Sequence, residues 1–284
     1  MTLVRLGLMT VGITLVALAV IGAAYEWQAQ QPDGGGATAM ASAQATPTPG
    51  QFLERSRHDF RIRHLSTYEF APSQATRDLA SRHTGWNGLH KRVWYEVVPE
   101  GRSDMPLVIL LHGSGRDGLS LVEMWKDVAA REGVALLAPD GIGNEWSFSE
   151  ADAPFLAMVV DRMAQAHGID RNRVYLFGHS AGAVYGQYLL NRVEGPWSAA
   201  VLHAGYAPTK IMRPPMTAKP FRLYLGTKDH IFAVENARTT AKTLATMGHD
   251  TELMLIPGHT HWLYQVGPQI AADAWMWLDG LPRP

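Results

Sequence analysis

Short apolar runs alternate with segments of helical spacing along most of the chain. Several runs consist of consecutive Val, Ile and Leu residues without polar alternation, which is typical of parallel strands buried on both faces. The predicted strands span residues 91–98, 107–111, 134–138, 174–177, 199–203, 221–225 and 252–256.

The segments between these runs carry helix-start signals. Ser120 and Glu123 fit a capping box at the start of one helix. Asp152 and Pro154 are predicted to open a second helix, and Pro268 a third. Strands and helices alternating in this order predict an α/β domain, with a mainly parallel sheet covered by helices on both faces.

An uncharged apolar segment, residues 6–24, lies near the N-terminus. Arg5 precedes it and the first charge after it is Glu26, so we expect the N-terminus inside and the rest of the chain exported, periplasmic or extracellular. The length suits a membrane-spanning signal anchor, and the small residues 22–24 also suit signal-peptide cleavage. Residues 1–27 are therefore predicted to be a signal anchor or a signal peptide, and only the anchor would leave the protein membrane-bound.

The next segment changes composition. Residues 28–50 are rich in Gln, Ala, Gly, Thr, Ser and Pro and predict a flexible linker. We expect the folded catalytic domain over residues 51–284, and early strands or a surface strap within residues 52–82.

The composition of the chain excludes several classes of function. The chain has 284 residues, 46% of them apolar, and a net charge of −1. No long basic cluster is present, so nucleic acid is not an expected partner. The absence of cysteine from the sequence excludes disulfides, thiolate catalysis and Cys-ligated zinc.

Ser180 lies in the stretch 178–182, GHSAG, which fits G-x-S-x-G. The pattern follows a predicted buried strand and precedes a helical pattern over residues 183–190. A strand–turn–helix context exposes such a serine hydroxyl as a nucleophile. The alternative is a turn with only a structural role, which would account for the two glycines without a catalytic function of Ser180.

Three further segments follow predicted strands, where ligands bind in parallel sheets. The loop 112–115 would supply an oxyanion hole from the Ser114 amide, with Gly115 as the runner-up, together with the Ala181 amide. His112 is interpreted as a residue that fixes this loop. Asp229 is the expected orienting carboxylate, and Asp250 is its main rival.

The loop 257–264 contains two candidate bases, His261 and His259. We favour His261 and keep His259 as the alternative base or a supporting residue. A metal site made by this pair with His203 or His230 is the other reading, but no carboxylate-rich loop accompanies it. The chain order Ser180, Asp229, His261 is that of α/β-hydrolases.

From Arg92 to Leu281 the sequence resembles serine α/β-hydrolases, and more narrowly the esterases grouped with polyhydroxybutyrate depolymerases and feruloyl or acetylxylan esterases. The resemblance implies the α/β-hydrolase fold and cleavage of carboxylic esters, and the position four residues after Pro257 assigns the base to His261. It rests on residues 111–114, 139–141, 146, 152–155, 168–175, 178–182, 226–229 and the histidine loop.

The expected activity is ester hydrolysis through an acyl-enzyme, which needs no metal or organic cofactor. Residues 205–220 form only a short Pro-rich connection, so we expect no large cap domain and an open cleft. Loop aromatics that could line the cleft, or simply cover the core, are Trp146, Phe148, Tyr206 and Trp262. The alternatives are a peptidase or amidase with the same triad, and a non-catalytic binding protein on a hydrolase scaffold. The sequence leaves the oligomeric state open.

Overall fold

A nine-stranded sheet organises the part of the chain described by the structure, a computed structural model. The described residues are 48–64, 69–148 and 152–283. The predicted segment 1–27 and all of the predicted linker before residue 48 lie outside them. The strands are β1 Phe52–Ser56, β2 Ser81–Asn87, β3 His90–Val97, β4 Met105–Leu111, β5 Ala135–Pro139, β6 Ile169–His179, β7 Ala199–His203, β8 Phe221–Gly226 and β9 Thr251–Ile256.

Six α-helices accompany the sheet in the described ranges. They are α1 Gln74–Leu79, α2 Leu119–Glu132, α3 Asp152–His167, α4 Ala181–Arg192, α5 Val234–Thr246 and α6 Gly267–Asp279. The strand order is β1-β9-β8-β7-β6-β4-β5-β3-β2. All neighbouring strands run parallel except β3, which is antiparallel to both β5 and β2. The predicted α/β class and mainly parallel sheet are confirmed.

The strand β4 shows why the Val/Ile/Leu runs become central strands. Leu107, Ile109 and Leu111 pack into one core beside α3 and α4, and are fully buried. Val108 and Leu110 point to the other face and pack into a second core beside α2 and α6. Because both faces are covered by helices, every residue of the strand gains from being apolar.

The predicted capping box at Ser120 and Glu123 is wrong. Helix α2 begins at Leu119 with Gly118 as its N-cap, two residues earlier than a Ser120 cap would place it, and the Ser120 amide donates to the Asp117 carboxylate at 3.1 Å. Glu123 instead accepts the Ser73 amide at 2.8 Å. Gly118 is required at this entry because a Cβ atom would lie 2.3 Å from the Ala138 carbonyl oxygen.

The region 52–82, expected to hold early strands or a strap, contains β1, α1 and the first residues of β2. The described residues 57–64 and 69–73 have no helix or strand and lie as a surface strap. Between β7 and β8 the only helix is the 3-10 turn Thr209–Ile211, in agreement with the expected absence of a large cap domain.

Residues 48–283 hold all nine strands and both cores. The first residues of this range are bonded to α5, since the Gly50 amide donates to the Ala245 carbonyl at 2.9 Å. This part of the chain therefore has its own complete core, as an independently folding domain needs. None of the helices found in the described residues is long and apolar enough to cross a membrane.

Candidate active site

The candidate residues all follow the carboxyl ends of parallel strands. Ser180 follows β6, Asp229 comes three residues after β8, and His261 lies in the loop after β9. The loop 112–115 follows β4, which pairs with β6. Parallel strands end at one edge of the sheet, so these four segments meet there.

Ser180 lies in a strained turn between β6 and α4. Its backbone has φ +53° and ψ −117°, a conformation that costs a non-glycine residue about 1–3 kcal/mol. The neighbouring glycines allow the backbones to approach: a Cβ atom at Gly182 would lie 1.9 Å from the Leu111 carbonyl oxygen, and one at Gly178 2.3 Å from the Gly182 carbonyl oxygen. The turn holds the serine at the N-terminus of a helix, half-buried rather than covered.

The structure brings Ser180, His261 and Asp229 into one hydrogen-bonded series. The Nε2 atom of His261 lies 3.0 Å from Ser180 Oγ, and its Nδ1 atom lies 2.9 Å from Asp229 Oδ2. With Nδ1–H donating to the carboxylate, Nε2 carries a lone pair directed at the serine hydroxyl. This geometry allows proton transfer from Ser180 to His261.

Asp229 is held as a carboxylate by more than His261. Its Oδ1 atom accepts the amides of Ile231 at 2.8 Å and Phe232 at 2.9 Å. Burial alone would raise the pKa of Asp229, but the hydrogen bond and charge of His261 and these two amides together lower the pKa below its ordinary value. The group therefore stays ionised beside the imidazole.

The loop after β4 lies directly against the serine turn. A Cβ atom at Gly113 would be 3.4 Å from the Ser180 Cβ. The Gly115 amide donates to the Asn144 carbonyl at 3.0 Å and is occupied, which favours Ser114 over this runner-up. Ala181 is the first residue of α4, where backbone N–H groups lack intrahelical partners.

Sequence reasoning missed a contact of Ser114. Its hydroxyl donates to the Glu145 carboxylate at 2.5 Å, so a half-buried acidic side chain fixes the loop that follows β4. Glu145 lies in the short turn 141–146, in which Ile142 forms a β-bridge with Glu145. The spacing between residues 114 and 145 gives no local signal for this contact.

His112 fixes the same loop, as its interpretation from the sequence proposed. Its ring is fully buried, and Nε2 accepts the Gly141 amide at 2.9 Å while Nδ1 donates to the Gly113 carbonyl at 2.8 Å. Burial lowers the pKa of His112 to about 4, so the imidazole is neutral.

Of the two roles predicted for Trp146, lining a cleft or covering the core, its burial favours the second. Its side chain is only 6% exposed, stacks on Tyr185 at a centroid distance of 5.3 Å and donates to the His112 carbonyl at 2.7 Å. An indole buried to this extent supports the loop from the core and leaves little surface for substrate.

The other candidate cleft aromatics remain partly accessible. Tyr206 is half-buried and meets Phe232 edge to face at 5.0 Å, and Phe232 in turn lies parallel to the His261 ring at 5.8 Å. Trp262 is half-buried beneath the Arg116 guanidinium, 5.1 Å from its ring centroid. Phe148 is half-buried and packs against Tyr188.

A row of three buried histidines underlies the site, and sequence reasoning did not predict it. His203 Nδ1 lies 3.0 Å from His179 Nδ1, and His203 Nε2 lies 3.0 Å from His259 Nε2. Burial, followed by the charges of neighbouring histidines, lowers the pKa of His179 and of His203 well below the ordinary value. A neutral imidazole has one donor and one acceptor. His203 therefore donates to one neighbour and accepts from the other, and the two hydrogen bonds of the row point in the same direction.

These contacts separate the two candidate bases. His259 is fully buried and points to His203, whereas His261 points to Ser180. Burial lowers the pKa of His259 to about 4. The rival acid, Asp250, lies at the amino end of β9 and accepts the Gln51 amide at 2.8 Å, so it is at the opposite edge of the sheet from Ser180.

The metal reading has no support in the geometry. In the three described ranges no group of three or more His, Cys, Asp or Glu side chains is arranged to hold a metal ion. His230 is exposed, and its ring lies 6.2 Å from that of His261.

Comparison with known proteins gives structural relatives only. No protein-family model matches the sequence, and no curated protein matches it. A thermostable esterase aligns at 20% identity and a TM-score of 0.57, over 71% of this chain and 63% of its own length.

Two further relatives are covered almost completely. The Est2 esterase of Thermogutta terrifontis aligns at 17% identity and a TM-score of 0.59, over 71% of this chain and 93% of its own. A Bacillus cereus carboxylesterase aligns at 23% identity and a TM-score of 0.53, over 68% of this chain and 95% of its own length. At such identities the likeness shows the fold, which is the α/β-hydrolase fold.

Proposed function

We propose that this protein of the α/β-hydrolase fold is a serine hydrolase that cleaves carboxylic esters through a covalent acyl-enzyme. The observation that carries the proposal is the hydrogen-bonded series Ser180, His261, Asp229 at the carboxyl edge of the sheet. Fold alone does not define activity, and the chemistry is argued from this site. The esterases among the structural relatives agree with it.

Acylation begins with Ser180. His261 Nε2 takes the hydroxyl proton while Oγ attacks the ester carbonyl carbon, and Asp229 stabilises the imidazolium through Nδ1–H. The imidazolium then gives its proton to the departing alcohol. Water attacks the acyl-enzyme with His261 again acting as base, which releases the acid and restores the serine.

The negative oxygen of the tetrahedral intermediate needs donors already in place. We assign them to the amides of Ala181 and Ser114, which belong to the serine turn and to the loop packed against it. One such donor contributes about 3–4 kcal/mol to the transition state. The contact of Glu145 with the Ser114 hydroxyl would hold the second donor in position.

We also propose that the domain acts outside the cytoplasm, in the periplasm or beyond. The support is the charge asymmetry around residues 6–24, with Arg5 before the apolar segment and Glu26 after it. Fusion of residues 1–50 to a reporter active only after export tests this proposal, and replacing Leu15 and Val16 with Asp should abolish the signal.

The central test compares wild-type protein with Ser180→Ala. We expect hydrolysis of p-nitrophenyl esters and labelling by a fluorophosphonate probe in the wild type. In the variant, labelling should vanish and kcat should fall at least about 10⁴-fold, because the nucleophile is gone. The melting temperature of the variant should stay close to that of the wild type, which shows that the loss is chemical.

The alternatives give different results. Probe labelling without turnover of any ester would point to a peptidase or amidase with the same triad. A folded wild-type protein that neither reacts with the probe nor turns over esters would be a binding protein, and the proposal would be wrong.

A further inference from the structure

The turn between β2 and β3 exposes two large apolar side chains. Trp86 is 69% exposed, and Leu89 is 93% exposed. Gly88 has φ +58°, the value that a tight two-residue hairpin turn accepts at its first central position. The turn is therefore a defined structure that presents Leu89 at its tip. We call residues 86–89 the hairpin tip.

The hairpin tip projects from the same edge of the sheet as Ser180. In the antiparallel pairing of β3 with β5, Trp94 lies opposite Pro139, the last residue of β5. From Trp94 back to Leu89 the chain runs five residues beyond the carboxyl end of β5. In extended conformation this length places the hairpin tip about 17 Å beyond that end. Three strand spacings separate β3 from β6, about 14 Å.

The exposed charges of the hairpin are positive. Residues 81–95 contain no Asp or Glu. Lys91 lies opposite Trp86 in the strand pairing, and it forms no ion pair with any side chain of the described residues. Arg82 is exposed as well, but it lies opposite Tyr95 at the far end of β2, whereas Arg92 is buried against Asp152. An apolar tip with Lys91 behind it thus rises beside the catalytic edge.

We propose that the hairpin tip docks on the surface of an anionic lipid membrane and turns the catalytic edge of the sheet toward it. Tryptophan prefers the boundary between acyl chains and headgroups, and leucine gains by entering the apolar layer. Lys91, which lies opposite Trp86 beside the tip, then meets the negative lipid surface. Single exposed apolar residues are common, but these two lie in one projecting turn and are flanked by Lys91.

The docking itself does not depend on hydrolysis. Only its consequence rests on the proposed function: Ser180 would act on esters presented by the membrane. The test therefore measures vesicle binding with the Ser180→Ala protein, residues 48–284, so that a failure of docking and a failure of the esterase proposal are seen separately.

The experiment is co-sedimentation with vesicles of phosphatidylcholine, with and without phosphatidylglycerol. We expect binding to the mixed vesicles and quenching of tryptophan fluorescence when the lipids carry brominated acyl chains. Trp86→Ser combined with Leu89→Ser should weaken binding at least about tenfold, since both apolar anchors are removed. Lys91→Gln should weaken binding to the anionic vesicles only.

Met276→Ser is the matched control, because Met276 is 66% exposed on α6, away from the hairpin, and should bind as the parent does. Circular dichroism verifies that each variant is folded. Absence of vesicle binding by the parent, or equal binding by the double variant, would overturn the proposal. A dimer that the double variant dissociates, without vesicle binding, would instead identify a contact between two copies of the chain.

Discussion

The two carboxylate oxygens of Asp229 have different partners, and this fixes the proton positions in the candidate triad. Oδ1 accepts two backbone amides, from Ile231 and Phe232, so that side must remain an acceptor. Oδ2 faces His261 Nδ1. The carboxylate thereby places the ring proton on Nδ1 and leaves Nε2 free to take the proton of Ser180.

Asp229→Asn should preserve the fold and remove most activity. The amide oxygen would keep the two backbone amides, so the NH₂ group would face His261 and force the ring proton onto Nε2. We expect kcat to fall about 10⁴-fold, as the wrong tautomer cannot accept the serine proton. Ester kinetics and fluorophosphonate labelling measure this. Asp250→Asn, at the opposite edge, is the control, and a similar loss there would refute the assignment.

His259→Ala and His261→Ala should differ in what they damage. Removing His261 deletes the base and should nearly abolish turnover. Removing His259 leaves a cavity and an unpaired nitrogen on buried His203, at a cost of about 1–3 kcal/mol in the free energy of unfolding, while substantial activity remains. Turnover and urea denaturation of both variants separate these effects. Reversed results would make His259 the base.

At the residue scale, the sequence was sufficient to nominate Ser180, Asp229 and His261, because each follows a strongly apolar strand in a known chain order. It was not sufficient for the row His179, His203, His259. These side chains come from separate strand ends and meet only once β6, β7 and β9 are aligned in the sheet. The exposure of Trp146 likewise depended on packing against Tyr185.

A buried ion pair joins two elements beside the site. Arg92 on β3 pairs with Asp152 at the start of α3, with exposures of 1% and 0%. The guanidinium also lies over the Phe155 ring at 4.2 Å and donates to the Asp140 carbonyl. The sequence predicted Asp152 to open a helix, and in the structure it also compensates the charge of Arg92 in the core.

Asp152→Ala should destabilise the domain by about 3–5 kcal/mol, because Arg92 would remain buried without its partner. Asp161→Ala is the matched control on the same helix. Its pair with Arg171 is more than half exposed at both side chains, and its loss should cost about 0–1 kcal/mol. Urea denaturation of both variants gives the comparison, and equal losses would contradict the structural reading of the pair.

At the scale of elements, the sequence located the buried strands and missed the exposed ones. The predicted strand 199–203 matches β7 in both bounds, and 252–256 differs from β9 by one residue. The edge strands β1 and β2 were not located, because most of their residues are exposed and carry no apolar run. The start of α2 was misplaced since Gly118 is selected by contact with Ala138, which the local sequence does not reveal.

At the scale of the whole molecule, the described residues include five buried histidines whose pKa values burial lowers. They are His112, His179, His203, His249 and His259. For His112 and His259 the pKa falls from 6.5 to about 4. In the folded state these rings stay neutral where the unfolded chain is already protonated, so unfolding takes up protons.

From this uptake we expect the domain to lose stability in mild acid. Above a pH of about 6.5, the pKa of histidine in the unfolded chain, these groups do not lower the free energy of unfolding. Between that pH and the lower pKa of the folded state, each group lowers the free energy of unfolding by about 1.4 kcal/mol for every pH unit. Asp140 opposes the trend, because burial raises its pKa to about 6. The histidines outnumber it, so the net effect should be destabilising.

We therefore expect the melting temperature to fall clearly between about pH 7 and about pH 5, before most carboxylates titrate. His249→Gln should flatten the slope, since His249 is buried, remote from Ser180, and bonded to the Lys219 carbonyl at 2.8 Å, a contact that a glutamine amide can replace without titrating. Scanning calorimetry across this interval measures both proteins. An unchanged melting temperature in the wild type would show that the buried rings do not remain neutral.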